Sequence, residues 1–341
     1  MVRQFTIFFA ILLTSVSCVK LNPDENNDEI SINGNGLVLV GNEGNFQYGN
    51  ASLSTFNKLT NETNHDVYKN INQLQLGDVL HDISHIDHEL YLVINNSGKI
   101  IIIDDESFVY KREIDQLNSP RKIIKISNSK FYITDLYANK IHVYNSYENS
   151  LDEIKVSGWC EDLKYHNGKV YVCNVESNLI YVINANNNII IDSISVNNNP
   201  KVIQQDNLSQ LWILSGGSRQ NNITASISLI NPESNEIIRE ISLPDNESSP
   251  KSLRINNLTN EVYFLNNHVY KIDNIDNSSP QIIWENTGEN FYNLEIDPYS
   301  NDIYLTDAKD YVQRGSLLII DNQGNFKKEI PTEIIPKSIV F

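Results

Sequence analysis

The sequence contains few cysteines, few methionines and few basic residues. It has 3 Cys and 1 Met in 341 residues, and its 26 Lys and Arg stand against 43 Asp and Glu, for a net charge of −17. With so few cysteines, a metal site built from cysteines alone is not expected. The shortage of positive charge argues against nucleic acid or anionic lipid as the partner, because the mean field of the protein repels phosphate.

The common catalytic signatures are also missing. The sequence has no Gly-x-Ser-x-Gly elbow, no phosphate-cradling glycine loop and no His-Glu-x-x-His pair. His81, His85 and His88 lie close together, but the alternation of a strand would send their side chains to different faces, so a three-histidine metal site is not predicted. No cofactor is predicted, and Ca²⁺ bound by loop oxygens remains an open alternative.

The sequence does contain a motif that repeats about every forty residues. Each copy contains an apolar strand, a polar turn, an aromatic-led strand and an apolar run that ends in Asn or Asp. The aromatic positions are spaced 41, 39, 41, 51 and 41 residues apart, and they are Tyr91, Tyr132, Tyr171, Trp212, Tyr263 and Tyr304. This spacing predicts the four-stranded blades of a β-propeller, which must stack around an axis to bury their apolar faces.

The repeats predict an all-β fold with seven blades. Six complete copies run approximately over residues Gly77–Asp115, Ser119–Val156, Gly158–Val196, Asn199–Leu243, Ser249–Asn286 and Asn290–Thr332. An N-terminal fragment, 36–57, has the later strands of a blade, and a C-terminal fragment, 335–341, looks like a first strand alone. Joining the two fragments completes a seventh blade and closes the ring, which leaves no open sheet edge. The predicted propeller spans residues 36–341.

The start of each innermost strand marks one mouth of the central channel. Read around the ring, that position holds His81, Arg121, Glu161, Lys201, Lys251, Tyr292 and Lys337. Four basic residues therefore meet at one mouth of an acidic protein, which suggests a ligand-binding ring. The alternative is that Pro-Lys is simply a favourable exposed corner and that these side chains are solvated.

Long loops on the same face supply further candidate ligand contacts. The loops 42–50, 215–222 and 306–315 are longer than hairpins need, and binding usually resides in such loops. Aromatic residues around a concave mouth suit a flat, partly apolar ligand, although each aromatic could equally serve blade packing. The candidates added by these loops and corners are Phe46, Tyr137, Trp159, Arg219, Asp307 and Tyr311.

Two cysteines fall in one repeat. If Asn167-Gly168 forms the hairpin turn, Tyr165 faces Val170, and Cys160 lies two residues from direct register with Cys173. A disulfide between Cys160 and Cys173 is then geometrically possible, and an oxidising compartment would favour it over two free thiols.

The N-terminus resembles a lipoprotein signal. A short basic start, an apolar stretch from Phe5 to Val16 and the pair Ser17-Cys18 predict a signal peptide over residues 1–18. The cysteine placement resembles the lipobox, in which Cys18 would carry the lipid, and a plain secreted protein is the alternative. The polar, acidic residues 19–35 are expected to tether the domain to the outer membrane at the cell surface; the alternative locations are the periplasm or the medium.

The strand endings Tyr132–Asp135 and Tyr171–Asn174 resemble those of the YncE-like seven-bladed propellers. Gly77-Asp78, Tyr91–Ser97 and Tyr304–Gly315 resemble exported propeller lipoproteins found beside TonB-dependent transporters, a family with a cobalamin-capturing member. The resemblance implies a surface lipoprotein, not an enzyme, that binds a nutrient, foremost a corrinoid, and passes it to a TonB-dependent transporter. Two alternatives stay open: a small-metabolite enzyme of the lactonase or cyclase kind, and an interaction scaffold of the cell envelope.

Overall fold

The computed structural model describes residues 36–244, 249–273 and 279–341. The predicted signal peptide, Cys18 and the tether lie outside these residues. The described chain forms 28 strands in seven four-stranded antiparallel sheets, which are the blades of a β-propeller. The innermost strands contact one another in sequence around a ring, so the seven-bladed prediction is confirmed.

The described chain begins in blade 7 and then forms blades 1 to 6 in order. The first strands are β1 (Leu37–Asn42), β2 (Ser52–Asn57) and β3 (Thr63–Asn64), followed by helix α1 (Val67–Asn72). Blade 1 contains β4 (Leu80–Ile86), β5 (Glu89–Ile94), β6 (Lys99–Asp104) and β7 (Tyr110–Ile114). Blade 2 contains β8 (Pro120–Lys125), β9 (Lys130–Asp135), β10 (Lys140–Asn145) and β11 (Ser150–Lys155). Blade 3 contains β12 (Cys160–His166), β13 (Lys169–Asn174), β14 (Leu179–Asn184) and β15 (Ile189–Ser195).

The second half of the ring repeats the same order. Blade 4 contains β16 (Pro200–Gln205), β17 (Leu211–Ser215), β18 (Ser226–Asn231) and β19 (Glu236–Ser242). Blade 5 contains β20 (Ser252–Ile255), β21 (Val262–Asn266), β22 (His268–Ile272) and β23 (Gln281–Trp284). Blade 6 contains β24 (Phe291–Ile296), β25 (Ile303–Asp307), β26 (Arg314–Ile320) and β27 (Phe326–Ile334). Single 3₁₀ turns lie at Asn95–Ser97 and Arg219–Asn221.

Blade 7 is shared between the two ends of the described chain. The last strand, β28 (Pro336–Val340), is its innermost strand and pairs antiparallel with β1, with Val40 opposite Ile339. β2 and β3 complete the sheet. The predicted closure of the ring is therefore correct.

Helix α1 was not predicted from the sequence. It has six residues, fewer than two turns, which is too short for a helical spacing of apolar residues to show in the sequence. The helix buries Val67 and Tyr68 against blade 1. Among the described residues, no helix is long and apolar enough to span a membrane.

The core lies between neighbouring blades rather than within any one of them. Seven apolar clusters each combine residues of two adjacent sheets; Tyr91 of blade 1, for example, packs on Phe131 of blade 2 with 5.5 Å between ring centroids. All six of the repeated aromatic side chains are buried in these interfaces. The repeat is therefore a packing repeat, as expected from units that cannot bury an apolar face alone.

The predicted disulfide is wrong. The hairpin turns as expected, with Tyr165 opposite Val170, but a β-bulge places Cys160 opposite Asn174. Cys160 packs in the interface with blade 2 and Cys173 in the interface with blade 4, so the two thiols lie on opposite faces of their sheet. Both are free and buried, and burial raises the pKa of Cys160 to about 12.

Candidate functional site: the mouth of the channel

An irregularity at the start of the innermost strands aims side chains into the channel. In blades 1, 2, 3, 4, 6 and 7 the pairing with the next strand skips one position there, which is the signature of a β-bulge. A bulge leaves one residue unpaired and re-aims its side chain. The extra residues are His81, Arg121, Lys201, Tyr292 and Lys337, and in blade 3 one of the pair Glu161–Asp162.

These residues enclose one small polar cavity. It has a volume of about 120 Å³, and all seven positions predicted for the mouth line it. A second layer, Asp82, Lys122, Asp162 and Arg254, lies along the same cavity. The structure thus brings the predicted ring together. We call the face of the propeller around this cavity the mouth face, and the opposite face the rear face.

One side of the ring is neutralised by Glu161. The Nε and Nη2 atoms of Arg121 donate to the two carboxylate oxygens of Glu161 at 2.7 and 2.6 Å. Trp159 Nε1 also donates to Glu161, at 2.6 Å. Burial would raise the pKa of Glu161, but the charge of Arg121 and its hydrogen bonds hold that pKa well below its usual range. The guanidinium is therefore not a free cation.

A second carboxylate, Glu43, neutralises Lys337. Lys337 Nζ lies 2.7 Å from Glu43 Oε1 and 2.7 Å from His81 Nδ1, and Tyr292 donates its hydroxyl to Glu43 Oε2 at 3.0 Å. Burial opposes ionisation of Glu43, yet Lys337 and His81 lower its pKa to about 2. His81 also lies 3.5 Å from Glu161, so it joins the two carboxylates into one network.

The other side of the mouth carries positive charge without a carboxylate. Within the described ranges 36–244, 249–273 and 279–341, no Asp or Glu forms an ion pair with Lys201 or Lys251. Lys201 Nζ donates to Ser249 Oγ at 3.1 Å, and Lys251 Nζ donates to the carbonyl of Phe291 at 2.6 Å. Burial in the mouth, then the charge of Lys251, lower the pKa of Lys201 to about 8, and burial lowers the pKa of Lys251 as well.

Below the mouth, further ion pairs occupy the channel. Lys122 Nζ lies 2.8 Å from Asp82, and Arg254 Nε lies 2.6 Å from Glu295. Asp162 accepts the backbone N–H of Ile203 at 3.0 Å, and burial raises its pKa. Sequence reasoning missed this layer and Glu43. Asp82, Lys122 and Asp162 each directly follow a mouth position in the sequence, so most of the layer could have been found by reading one residue further along the innermost strands.

Four of the additional candidates lie at different distances from the ring. Tyr311 packs edge-on against Tyr292 with 5.9 Å between centroids, and Trp159 lies 5.8 Å from the Arg121 guanidinium. Phe46 and Tyr137 are 62% and 72% exposed on neighbouring loops. Of these four aromatic rings, those of Tyr311 and Trp159 therefore lie against the ring of polar residues.

Arg219 and Asp307, the two remaining candidates, lie in different environments. Arg219 and Lys251 line a side groove of about 290 Å³ that opens beside the mouth. Asp307, by contrast, is 1% exposed, and its carboxylate accepts the backbone N–H groups of Asn290 and Lys309. Its role is to hold the corner of the blade, not to face a ligand. No group of three or more His, Cys, Asp or Glu in the described chain is placed to hold a metal ion.

Comparison with solved structures identifies the same fold in distant proteins. A quinoprotein alcohol dehydrogenase-like protein of Bacteroides thetaiotaomicron is 14% identical, covers 90% of this chain and 78% of its own, and has a TM-score of 0.71. Hydrazine synthase of Kuenenia stuttgartiensis is 15% identical, with coverages of 76% and 88% and a TM-score of 0.64. AztD of Citrobacter koseri is 10% identical, with coverages of 89% and 97% and a TM-score of 0.58. At these identities the likeness shows the fold alone.

No curated protein matches the sequence significantly. A family profile does match it, over residues 35–336, which is nearly the whole propeller. The chain belongs to the family described as a domain of unknown function, DUF5074.

Proposed function

We propose that this protein binds a small molecule through an anionic group that enters the mouth of the channel. The observation that carries the proposal is the asymmetry of the ring: Arg121 and Lys337 are neutralised by carboxylates, whereas no Asp or Glu in the described part of the chain forms an ion pair with Lys201 or Lys251. Burial in the half-enclosed site lowers the pKa of both ammonium groups, against the opposing charges of Glu161 at Lys201 and Asp307 at Lys251, and repulsion by Lys251 lowers the pKa of Lys201 further. A phosphate or carboxylate between them would relieve both costs.

The dimensions of the mouth limit what enters it. Ligand pockets that enclose a whole drug-sized molecule have volumes of roughly 300–1,000 Å³, whereas this cavity has about 120 Å³. It therefore holds an anionic head group while the rest of the ligand lies outside. Phe46, Tyr137 and Tyr311 are available on that outer surface to contact a flat, apolar body.

A corrinoid is the specific ligand that we propose, on the resemblance of the sequence to cobalamin-capturing propeller lipoproteins. Its phosphate would lie between Lys201 and Lys251, and its macrocycle would lie across the mouth on the aromatic side chains. The size of the cavity supports this division, because a macrocycle cannot enter it.

The cellular setting is part of the same proposal. The protein would be anchored at the outer membrane through lipidated Cys18 and would deliver its ligand to a TonB-dependent transporter. The apolar N-terminal stretch followed by Ser17-Cys18 supports the anchor. Co-purification from native membranes tests the partner, and recovery without any transporter would contradict it.

Calorimetric titration of the full chain with cyanocobalamin and with inorganic phosphate tests the ligand. We expect heat from both, and at least a tenfold loss of affinity in Lys201→Gln/Lys251→Gln. A matched control, Lys69→Gln/Lys155→Gln, removes the same charge from exposed positions outside the mouth and should bind normally. Phosphate binding without corrinoid binding would overturn the corrinoid; no binding of either would overturn the mouth as an anion site.

One observation favours a second candidate, an enzyme. A lysine with a pKa of about 8 is partly neutral near physiological pH, and a neighbouring cation is a known way to activate a nucleophilic amine. Borohydride trapping of a small keto acid on Lys201, located by peptide mass, tests this role. No adduct at Lys201 would contradict it.

A further inference from the structure

Most turns of the rear face share one feature. In each of these turns an Asp or Asn accepts the backbone N–H of the residue two positions later, which fixes the turn and points that residue outward. The tips held in this way include Leu59, Leu208, Leu258 and Tyr299, whose N–H groups lie 2.8, 2.9, 2.9 and 2.9 Å from the side chains of Asn57, Asp206, Asn256 and Asp297.

The turn itself does not require an apolar tip. The same bond, with Asp104, Asn184, Asn231 or Asp321 as acceptor, holds polar tips in other turns of this face, at Glu106, Asn186, Glu233 and Gln323. Leu59, Leu208, Leu258 and Tyr299 nevertheless expose 68%, 70%, 69% and 49% of their surface. Folding does not explain the three leucine tips, because their side chains stay in water, whereas Tyr299 is half-buried with Lys58 Nζ 5.5 Å from its ring centroid.

The four apolar tips lie on consecutive blades, 4, 5, 6 and 7, and their turns are bonded to one another. Asn207 donates its N–H to Asn260 at 3.0 Å, Asn256 donates to Asn301 at 3.0 Å, and Lys58 reaches Asp297 at 2.9 Å. They form a fixed arc, which we call the rear arc. A further apolar tip, Tyr147, lies on blade 2.

The path of the chain indicates what covers the rear arc. The described chain enters the propeller at Gly36, whose carbonyl accepts the N–H of Lys58 at 2.7 Å, directly beside Leu59. The 17 residues from 19 to 35 span at most about 60 Å even when fully extended. If Cys18 carries a lipid, the chain therefore enters the propeller on the rear face and within about 60 Å of the membrane.

We infer that the rear arc inserts its apolar tips into the interface of a neutral lipid bilayer, so that the mouth points away from the membrane. The inference rests on the proposed anchor at Cys18. The tips project singly from a polar background, which suits insertion between head groups, and tyrosine is enriched at that depth.

Site-specific fluorescence of the full-length protein in phosphatidylcholine vesicles tests the inference. Leu258→Cys is labelled with a polarity-sensitive dye, and quenching by brominated lipid is measured; Cys160 and Cys173 are buried and do not compete for the label. We expect at least twofold quenching at position 258 and none for the control Tyr137→Cys on the mouth face. An unquenched label at 258, or equal quenching at 137, would overturn the inference.

Two further readouts separate this inference from the proposals on which it rests. The mass of the N-terminal peptide shows independently whether Cys18 carries lipid, so a failed anchor is distinguished from a failed rear arc. The variant Leu59→Asn/Leu208→Asn/Leu258→Asn copies the polar tips of the other turns. It should partition onto vesicles at least tenfold less while binding phosphate normally, and unchanged partitioning would contradict a role for the tips.

Discussion

The mouth face and the rear face are formed by opposite ends of the same strands. Each face depends on a different departure from regular strand geometry. On the mouth face, β-bulges turn charged side chains such as Arg121 and Lys201 inward, where they form a network around a small cavity. On the rear face, Asp and Asn side chains tighten the turns and push residues such as Leu258 outward. The comparison shows that the repeat itself secures the ring, while the departures from ideal strand geometry give each face its chemistry.

The largest expected effect comes from opening the ring, which should damage both faces at once. Deleting Pro336–Phe341 removes β28 and leaves one edge of β1 without its paired strand. Lost hydrogen bonds and exposed apolar surface should cost several kcal/mol, a large share of a typical folding free energy. Thermal melting should show aggregation or a much lower Tm. A truncated protein that melts like the parent would show that this strand is dispensable.

The next largest effect on stability should come from breaking an ion pair of the mouth, compared with breaking an exposed ion pair elsewhere. Glu161→Ala leaves Arg121 unpaired in a site where each side chain is 16% exposed, so we expect a loss of about 2 kcal/mol, less than for a fully buried pair. The control Glu153→Ala breaks the exposed pair with Lys140 and should leave the free energy of unfolding almost unchanged. Denaturant unfolding measures both, and equal losses would contradict a special mouth network.

The pH dependence of ligand binding should report on Lys201. Because its pKa is lowered to about 8, anion affinity should fall by up to about tenfold as pH rises from 7 to 9. The sign for stability is opposite: the unfolded chain binds more protons between pH 8 and 10.5, so this group makes the free energy of unfolding rise there. Lys201→Arg should flatten the binding profile, and an unchanged slope would exclude Lys201 as its source.

The smallest effect is expected at the rear face. Because Leu59, Leu208 and Leu258 are exposed and their turns are held by side chains that remain, replacing all three by Asn should change the free energy of unfolding by no more than about 0.5 kcal/mol per site. Chemical denaturation checks this. A loss of several kcal/mol would mean that the tips pack within the fold, contrary to their exposure.

The sequence was sufficient for the ring and for part of the site. Tyr91 and its equivalents predicted the blades because their burial follows the repeat, and Pro336–Val340 was assigned to the closing strand by its likeness to an earlier corner. The neutralisation of Lys337 could not be predicted, because its partner Glu43 is 294 positions away in the sequence. The prediction of a disulfide was wrong because a single β-bulge in β12 changes the register of its pairing with β13. Such a bulge has no clear signature in the sequence.

The central claim is that the mouth binds anions through Lys201 and Lys251, because the other cations are already paired. The most direct test compares Lys201→Gln/Lys251→Gln, which removes two ammonium groups that have no carboxylate partner among the described residues, with Arg121→Gln/Glu161→Gln, which removes one ion pair. Affinity for inorganic phosphate is measured at low and at physiological ionic strength, where screening differs. We predict at least a tenfold loss in the first variant, greatest at low salt, and less than a threefold change in the second. Equal losses in both variants, or none in the first, would contradict the claim.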